Sequence, residues 1–357
     1  MSVTGATAVR FRLRVGTVPY AVVLGVLSAA VLVSVVIATG IGPVRVPADE
    51  VTRVLVHHLI GGADTASTAD LIVWRLRLPR VLLGALVGAG LALAGAVVQS
   101  VVRNPVADPY LLGLSSGASV GAVLVITTGV SMLGALTLPV AAFAGAAGAI
   151  AVVLLLARHR GRLLPLRLIL VGVAVGHLLG GFTSFLLTRA ETSSAQQQII
   201  FWLLGALSGA HWGLLGVPAV VVTASCLLLV IRARRLNVLV LGDEAAAALG
   251  VDASRLRREL LLVTTLLVGT VVAVSGGIGF VGLIVAHLAR MLVGADHRRM
   301  LPVTAALGAL FLVWADVAAR MLISPTELPI GILTAFLGVP FFLLVMHARG
   351  LAAEGAP

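Results

Sequence analysis

Long runs of residues without a charged side chain constrain this chain more than any other feature. A helix of about 20 apolar residues crosses about 30 Å of hydrocarbon, and lipid requires its backbone hydrogen bonds to be satisfied internally. The chain is 60% hydrophobic and only 11% charged. We therefore predict an all-α integral membrane protein with about ten transmembrane helices in a single domain covering residues 1–357. The predicted spans are 15–41, 81–102, 111–129, 134–157, 168–188, 213–231, 260–276, 279–293, 301–322 and 328–346.

The arginines orient these spans, because positive charge is enriched on the cytoplasmic side of membrane proteins. All 25 basic side chains are Arg, and the net charge is +11. The best assignment puts both termini and residues 232–259 in the cytoplasm, with 18 Arg inside and seven outside. It favours one span within 192–231, with 196–207 at the interface, and a turn at 275–277 followed by a short returning helix.

Several functional classes are disfavoured by what the chain lacks. A nucleic-acid-binding domain collects its basic residues on one face, whereas here they lie between apolar runs. A P-loop requires a lysine, and the sequence has none, so ATP hydrolysis would need a separate subunit. The single Cys226 and the spacing of the eight His predict no metal site and no cofactor. No nucleophile lies beside a base in a recognisable motif, so we predict no enzyme activity.

Residues 241–250, with the sequence LGDEAAAALG, predict a short helix between the sixth and seventh spans. Asp243 and Glu244 suit the positive end of the helix dipole, and Gly250 suits a carboxyl-terminal cap. A peripheral partner could bind such a helix on the cytoplasmic face. The alternative is an inert helix at the membrane interface.

Further motifs lie on both sides of this segment in a fixed order. They are WRLRLPR at 74–80, QSVVRNPVADP at 99–109, LGLSSGA at 112–118, GGIGFVGLIVAH at 276–287, DHR at 296–298, ADVAAR at 315–320 and ELPIG at 327–331. Together they resemble the FecCD family of ABC importer permeases, to which the vitamin B12 permease belongs. One departure is Ala286, where the family usually has proline, and we expect the eighth helix to be straighter for it.

The resemblance implies roles for particular residues. It assigns the docking of a soluble substrate-binding protein to Arg77, Arg80 and Arg320, since arginine binds carboxylates with two parallel hydrogen bonds. Reversing the charges of Arg77 and Arg80 should then weaken docking without loss of folding. The alternative is that these arginines anchor helix ends, or that Arg320 pairs with Asp316. The resemblance assigns coupling to the ATPase to Gly242, Asp243, Glu244, Ala247 and Gly250. It assigns the cytoplasmic gate to Asn104, Pro105, Pro165 and Leu166.

The resemblance also implies partners and a location. We expect two permease chains, two ATP-binding subunits, an extracytoplasmic binding protein, surrounding lipid and the plasma membrane, with the choice between homodimer and heterodimer open. The expected cargo is a ferric siderophore, because it is the commonest in the family, with cobalamin and haem as alternatives. The rival in another class is an ion-coupled secondary transporter, which needs an ionisable group near mid-membrane. Asp316 is the nearest candidate.

Overall fold

The structure is a computed structural model that describes residues 19–62, 67–159, 162–324 and 326–354. The start of the predicted first span and both chain ends lie outside these residues. The helices are α1 Tyr20–Gly40, α2 Ala48–Leu59, α3 Thr68–Asp70, α4 Leu78–Val101, α5 Leu114–Thr128, α6 Thr137–Ala157, α7 Pro165–Thr188, α8 Ser193–Leu204, α9 Gly216–Val240, α10 Asp243–Ala248, α11 Ala253–Ser275, α12 Val281–Val293, α13 His297–Met321 and α14 Ile330–Glu354. Two-residue strands, β1 Arg158–His159 and β2 Arg162–Leu163, pair antiparallel between α6 and α7.

The described residues contain seven helices that are long and apolar enough to cross a membrane. They are α1, the continuous helix Thr68–Val101, α6, α7, α9, α11 and α13. Three shorter apolar helices accompany them: α5, α12 and residues Ile330–Leu344 of α14. The predicted helical membrane fold is confirmed, and the number of spans stays a prediction.

Helix α4 lies at the centre of the bundle, with almost every side chain from Leu78 to Val101 buried. It packs against α9, α11, α12 and α13. At the α4–α13 contact, a Cβ on Gly88 or on Gly308 would overlap the carbonyl oxygen of the other residue. Gly95 and Gly282 also place backbone against backbone between α4 and α12. Small residues allow this close packing of backbones, which drives helix association in lipid.

Three helices illustrate how the structure differs from the predicted spans. Helix α2 was not predicted, because it is amphipathic: Val51 and Val54 are buried, whereas Thr52 and Arg53 between them are exposed. The continuous helix that contains α4 begins at Thr68 rather than near residue 81. It includes a π-helical stretch, Leu71–Arg77, before α4. Helix α9 continues to Val240 through three arginines, because arginine is a good helix former and charge ends a span without ending a helix.

Candidate functional site

Buried ion pairs tie α4 to α13 at one end of the bundle. Arg80 donates through Nε to Asp316 Oδ1 at 3.0 Å, and through Nη1 to both carboxylate oxygens of Glu327 at 2.8 and 3.0 Å. Arg320 lies one turn after Asp316 and places its Nε 3.0 Å from Asp316 Oδ2. Arg80, Asp316 and Arg320 are all at least 90% buried. The pairing of Arg320 with Asp316 that the sequence left as an alternative is therefore present.

Arg77 is also buried, and its guanidinium group holds the turn that follows α1. It donates to the carbonyl oxygen of Gly40 at 2.9 Å and to that of Val44. Arg320 contacts the same turn through the carbonyl oxygen of Ile41 at 3.1 Å. The three arginines predicted to dock a binding protein thus direct their donors at groups within the chain. This geometry favours the alternative in which they anchor helix ends.

Helix α10 lies at the other end of α4, and its two flanking glycines set its ends. Gly242 precedes it with φ +113°, a conformation that L side chains rarely adopt. Gly250 follows it with φ +73°, and its N–H donates to the carbonyl oxygen of Ala247 at 3.0 Å. Val251 N–H donates to the carbonyl oxygen of Ala246 at 2.8 Å, which completes a Schellman cap.

One side of α10 is anchored and the other is free for contact. Ala246 is fully buried, and the carboxylate of Asp243 receives two hydrogen bonds from Arg257, at 2.8 and 2.5 Å. Glu244 and Ala247 are exposed, and Leu249 just beyond the helix is 61% exposed. A helix held this way presents an acidic and apolar surface to a partner.

The predicted gate residues lie in two segments that approach the same buried arginine. Asn104 follows the end of α4, and its Oδ1 accepts a hydrogen bond from Val106 N at 3.1 Å. Pro105 is exposed in this turn. Pro165 begins α7, and Leu166 beside it is 68% exposed. The buried arginine is Arg257, which donates to the carbonyl oxygen of Val101 before the first segment and to that of Leu163 before the second.

The DHR motif caps α13 and joins three helices. The side chain of Asp296 accepts from Arg298 Nη2 at 2.9 Å and from Asn237 Nδ2 at 2.8 Å. These hydrogen bonds, first from Arg298 and then from Asn237, hold the pKa of Asp296 well below its usual range. His297 lies within 2.6 Å of Asn237 Oδ1 and 2.7 Å of Ser100 Oγ through its two ring nitrogens. These contacts give His297 a structural role at the start of α13.

A layer of irregular backbone lies inside the bundle between α11 and α12. Helix α12 has 13 residues and is therefore about 20 Å long, less than the roughly 30 Å of hydrocarbon. A helix of this length does not cross the hydrocarbon by itself, and the break at 276–280 before it leaves backbone groups that need partners within the protein. Tyr110 supplies two: its hydroxyl donates to the carbonyl oxygen of Ile278 at 2.9 Å and accepts from Ile278 N at 2.8 Å. Further bonds join Ala206 N to Ser275 O at 2.9 Å and Ile330 N to Gly205 O at 3.0 Å.

An apolar cavity of about 630 Å³ opens beside this break, and sequence reasoning missed it. Phe280 lines it with a left-handed backbone, φ +67°, which is rare for a bulky residue and concentrates at functional sites. The rest of the lining is Leu203, Leu204, Gly277, Gly279, Gly331, Ile332, Ala335, Phe336, Val339 and Pro340. The signal that could have found it is the glycine cluster at 276–279, because interrupted membrane helices mark transport sites.

The structure combines interrupted helices around an apolar cavity with the short, exposed helix α10 at one end of the bundle. These features are typical of a helical membrane transport protein. The model of the FecCD transport family matches residues 30–348, and the chain belongs to that family.

Relatives with different stated cargoes are similar to this chain. The cobalamin import system permease protein BtuC of Halobacterium salinarum is 46% identical over 80% of this chain and 76% of its own length. The hemin transport system permease protein HmuU of Yersinia pestis is 43% identical over 78% of this chain and 84% of its own. A solved structure described as a metal-chelate type ABC transporter in an inward-facing conformation superposes with a TM-score of 0.79. It is 34% identical and covers 92% of this chain and 99% of the other.

Proposed function

We propose that this chain is the transmembrane permease subunit of an ATP-driven, binding-protein-dependent ABC importer of metal chelates. The observation that carries the proposal is α10, which is anchored on its inner side and exposed at Glu244 and Ala247. The chain has no lysine with which to build a P-loop, so in an ATP-driven importer a separate subunit would hydrolyse ATP and act on the permease. An exposed helix anchored in the bundle is a suitable contact for that ATPase. The permease itself is not an enzyme in this proposal.

The complex that we propose contains two permease chains, alike or related, and two ATP-binding subunits beside α10. With ten spans, both termini and α10 would lie on the cytoplasmic side of the plasma membrane. The excess of arginine on that side supports this orientation. Alternating access would take place at the interface of the two permeases. This arrangement would join ATP hydrolysis to transport.

We infer that the binding protein docks at the opposite end of the bundle, near Arg77, Arg80 and Arg320. Because these side chains are buried, they would act by holding the docking surface in shape. Arg77 fixes the turn after α1, and Arg80 fixes the half-buried carboxylate of Glu327. This differs from direct pairing of the arginines with acidic residues of the binding protein, which would require them to leave their present partners.

The cavity beside Phe280 is a suitable part of the transport path, with Asn104, Pro105, Pro165 and Leu166 as the cytoplasmic gate. Its apolar lining would bind a bulky chelate weakly, as a path requires. A ferric siderophore is the cargo expected from its frequency in the family, and the cobalamin and hemin relatives make those two compounds the alternatives. A secondary transporter would need an available intramembrane carboxylate, whereas Asp316 is paired with two arginines.

The test is uptake into proteoliposomes that contain the chain, its co-encoded ATPase and its binding protein. Labelled ferric siderophore, haem and cobalamin are offered separately, with ATP inside, with ADP inside, and with ionophores that dissipate ion gradients. We expect ATP-dependent uptake of one cargo that ionophores do not abolish. Glu244→Arg should greatly reduce it, whereas Glu191→Arg, at an exposed position beyond the end of α7, should not. Uptake that follows the ion gradient without ATP would contradict the proposal.

A further inference from the structure

A buried arginine connects α10 to the predicted gate. Arg257 lies in the second turn of α11, and its side chain is 1% exposed. Its two terminal nitrogens donate to the carboxylate of Asp243, the first residue of α10. Its Nε donates to the carbonyl oxygen of Val101 at 3.4 Å, and its Nη1 donates to that of Leu163 at 3.4 Å. One guanidinium group therefore contacts three separate parts of the chain.

The two carbonyl oxygens stand immediately before the two gate segments. Val101 is the last residue of α4, and the turn with Asn104 follows it. Leu163 ends β2, and α7 begins two residues later at Pro165. A displacement of the guanidinium group would thus act on the backbone at the start of both segments.

A second arginine joins one gate segment to the same carboxylate. Arg103, the residue before Asn104, has φ +53°, a left-handed conformation that is uncommon outside glycine. Its Nη2 lies 3.8 Å from Asp243 Oδ1, and its guanidinium group lies against Gly242. Backbone strain of this kind persists only where surrounding contacts require it. Here the contacts are with Gly242 and with Asp243, the first residue of α10.

We propose that Arg257 is the positioning residue that transmits movement of α10 to both gate segments, with Asp243 as its attachment point on α10. The inference rests on the proposed function, because it assumes that an ATPase moves α10.

The chemistry of the side chain suits this role. The guanidinium group is planar, always charged and carries five donors in a fixed fork, so it can hold a carboxylate and two carbonyl oxygens at once. A lysine ammonium keeps the charge and can bond the carboxylate, but it cannot span the same three acceptors. The burial of Arg257 also protects these bonds from competition by water. The connection therefore requires the guanidinium group of arginine, and a positive charge alone is not sufficient.

The experiment compares Arg257→Lys with Arg255→Lys in the full complex in proteoliposomes. Arg255 is on the same helix, its side chain is 75% exposed, and it pairs with Glu259, so it is a matched control. Affinity for the ATPase, the ATPase rate and cargo uptake are measured for each. We expect Arg257→Lys to bind the ATPase as the wild type does, while the number of cargo molecules imported per ATP falls about tenfold, within the range of site-to-site coupling. Arg255→Lys should keep the wild-type ratio.

Backbone hydrogen exchange gives a readout that a merely structural role would not change. In the wild type, adding ATPase and nucleotide should alter exchange in α10, in 101–107 and in 162–166. In Arg257→Lys the change in α10 should remain, and the changes in the two gate segments should be lost. If Arg257→Lys does not fold, Asp243→Asn is used instead, because it retains the shape and removes the charge that Arg257 binds.

The outcomes separate this inference from the proposed function. Wild-type complex without ATP-dependent uptake would overturn the proposed function itself. Wild-type uptake with an unchanged ratio in Arg257→Lys would overturn only the role of Arg257. A parallel fall of ATPase binding, ATPase rate and uptake at constant ratio would also overturn it, because Arg257 would then support the fold of α10 rather than its connection to the gate.

Discussion

Arg80 illustrates how burial changes the interpretation of a motif residue. It lies between Asp316 and Glu327, and its side chain is 11% exposed. Charged groups in such a setting are stabilised by their partners, and removal of one partner leaves an uncompensated buried charge. Charge reversal at an exposed arginine would spare folding. Because Arg80 is buried between two carboxylates, we expect charge reversal there to lower the stability of the fold.

We expect Arg80→Glu to destabilise the protein by about 3–5 kcal/mol, as breaking a buried ion pair does. The new carboxylate would face Asp316 and Glu327, remove the pair between Arg80 and Glu327, and leave Arg320 as the one arginine that pairs with Asp316. Arg53→Glu is the control, since Arg53 is 76% exposed and its pair with Asp49 contributes at most about 1 kcal/mol. Thermal unfolding in detergent measures both. Equal stability of the two variants, with loss of binding-protein capture only for Arg80→Glu, would instead support direct docking.

The pH dependence of stability should carry a contribution from Asp296. Its pKa is lowered in the folded protein, first by the hydrogen bonds from Arg298 and then by the one from Asn237. The folded state therefore gains stability at pH values above the unfolded pKa of about 4, and loses it as the pH falls through the folded pKa. Asp296→Asn keeps a capping side chain and removes this gain. Its stability deficit should be largest near neutral pH and shrink below about pH 4, and a deficit independent of pH would contradict the assignment.

At the scale of helices, close glycine contacts determine which helices are neighbours. Between α4 and α13, Gly88 and Gly308 place backbone against backbone. Helices in lipid gain little from the hydrophobic effect, so the packing of such contacts supplies much of their association. The same pattern joins α5 to α6 through Gly117 and Gly145.

Gly308→Leu should therefore separate α4 from α13 and destabilise the protein by about 1–3 kcal/mol or more, as overpacking of a tight core does. Gly148→Leu in α6 is the matched control, because nothing lies within 4 Å of its Cβ position. That variant should be neutral or gain up to about 1 kcal/mol from helix propensity. Denaturation midpoints of both in the same detergent decide the question. A similar effect of the two variants would show that packing at Gly308 is not limiting.

At the scale of the whole molecule, the central question is which end of the bundle faces the cytoplasm. Helix α2 and the arginines near Asp316 lie at one end of α4, and α10 lies at the other. The positive-inside rule assigns α10 to the cytoplasm. The single cysteine of the chain, Cys226, makes this assignment simple to test.

In a Cys226→Ser background, we expect a cysteine at Thr52 to react with an impermeant maleimide applied to intact cells. A cysteine at Ala247 should react only after permeabilisation. Both positions are exposed, so differences in burial do not explain a difference in labelling. The reverse pattern would invert the topology and remove α10 from the reach of a cytoplasmic ATPase.

Local features of the sequence determined the class of fold, the family and the ends of α10. Apolar runs identify membrane helices because each run must satisfy its own backbone in lipid. Asp243 and Glu244 indicated the amino-terminal end of α10 and Gly250 its carboxyl-terminal end, because dipole and cap preferences are properties of single residues. The ordered motifs predicted the FecCD family, which is confirmed.

Only the tertiary structure decided which charged side chains are buried and what they contact. Arg80 and Asp316 are 236 residues apart, and Arg257 contacts Val101 across 156 residues, so no local pattern encodes these pairs. A partial signal did exist for Arg257, which shares a helix face with buried Leu260, Leu261 and Thr264. The cavity beside Phe280 likewise requires α8, the break at 276–280 and α14 to meet. Local chemistry determines elements, whereas the partners of a buried charge depend on how distant elements pack.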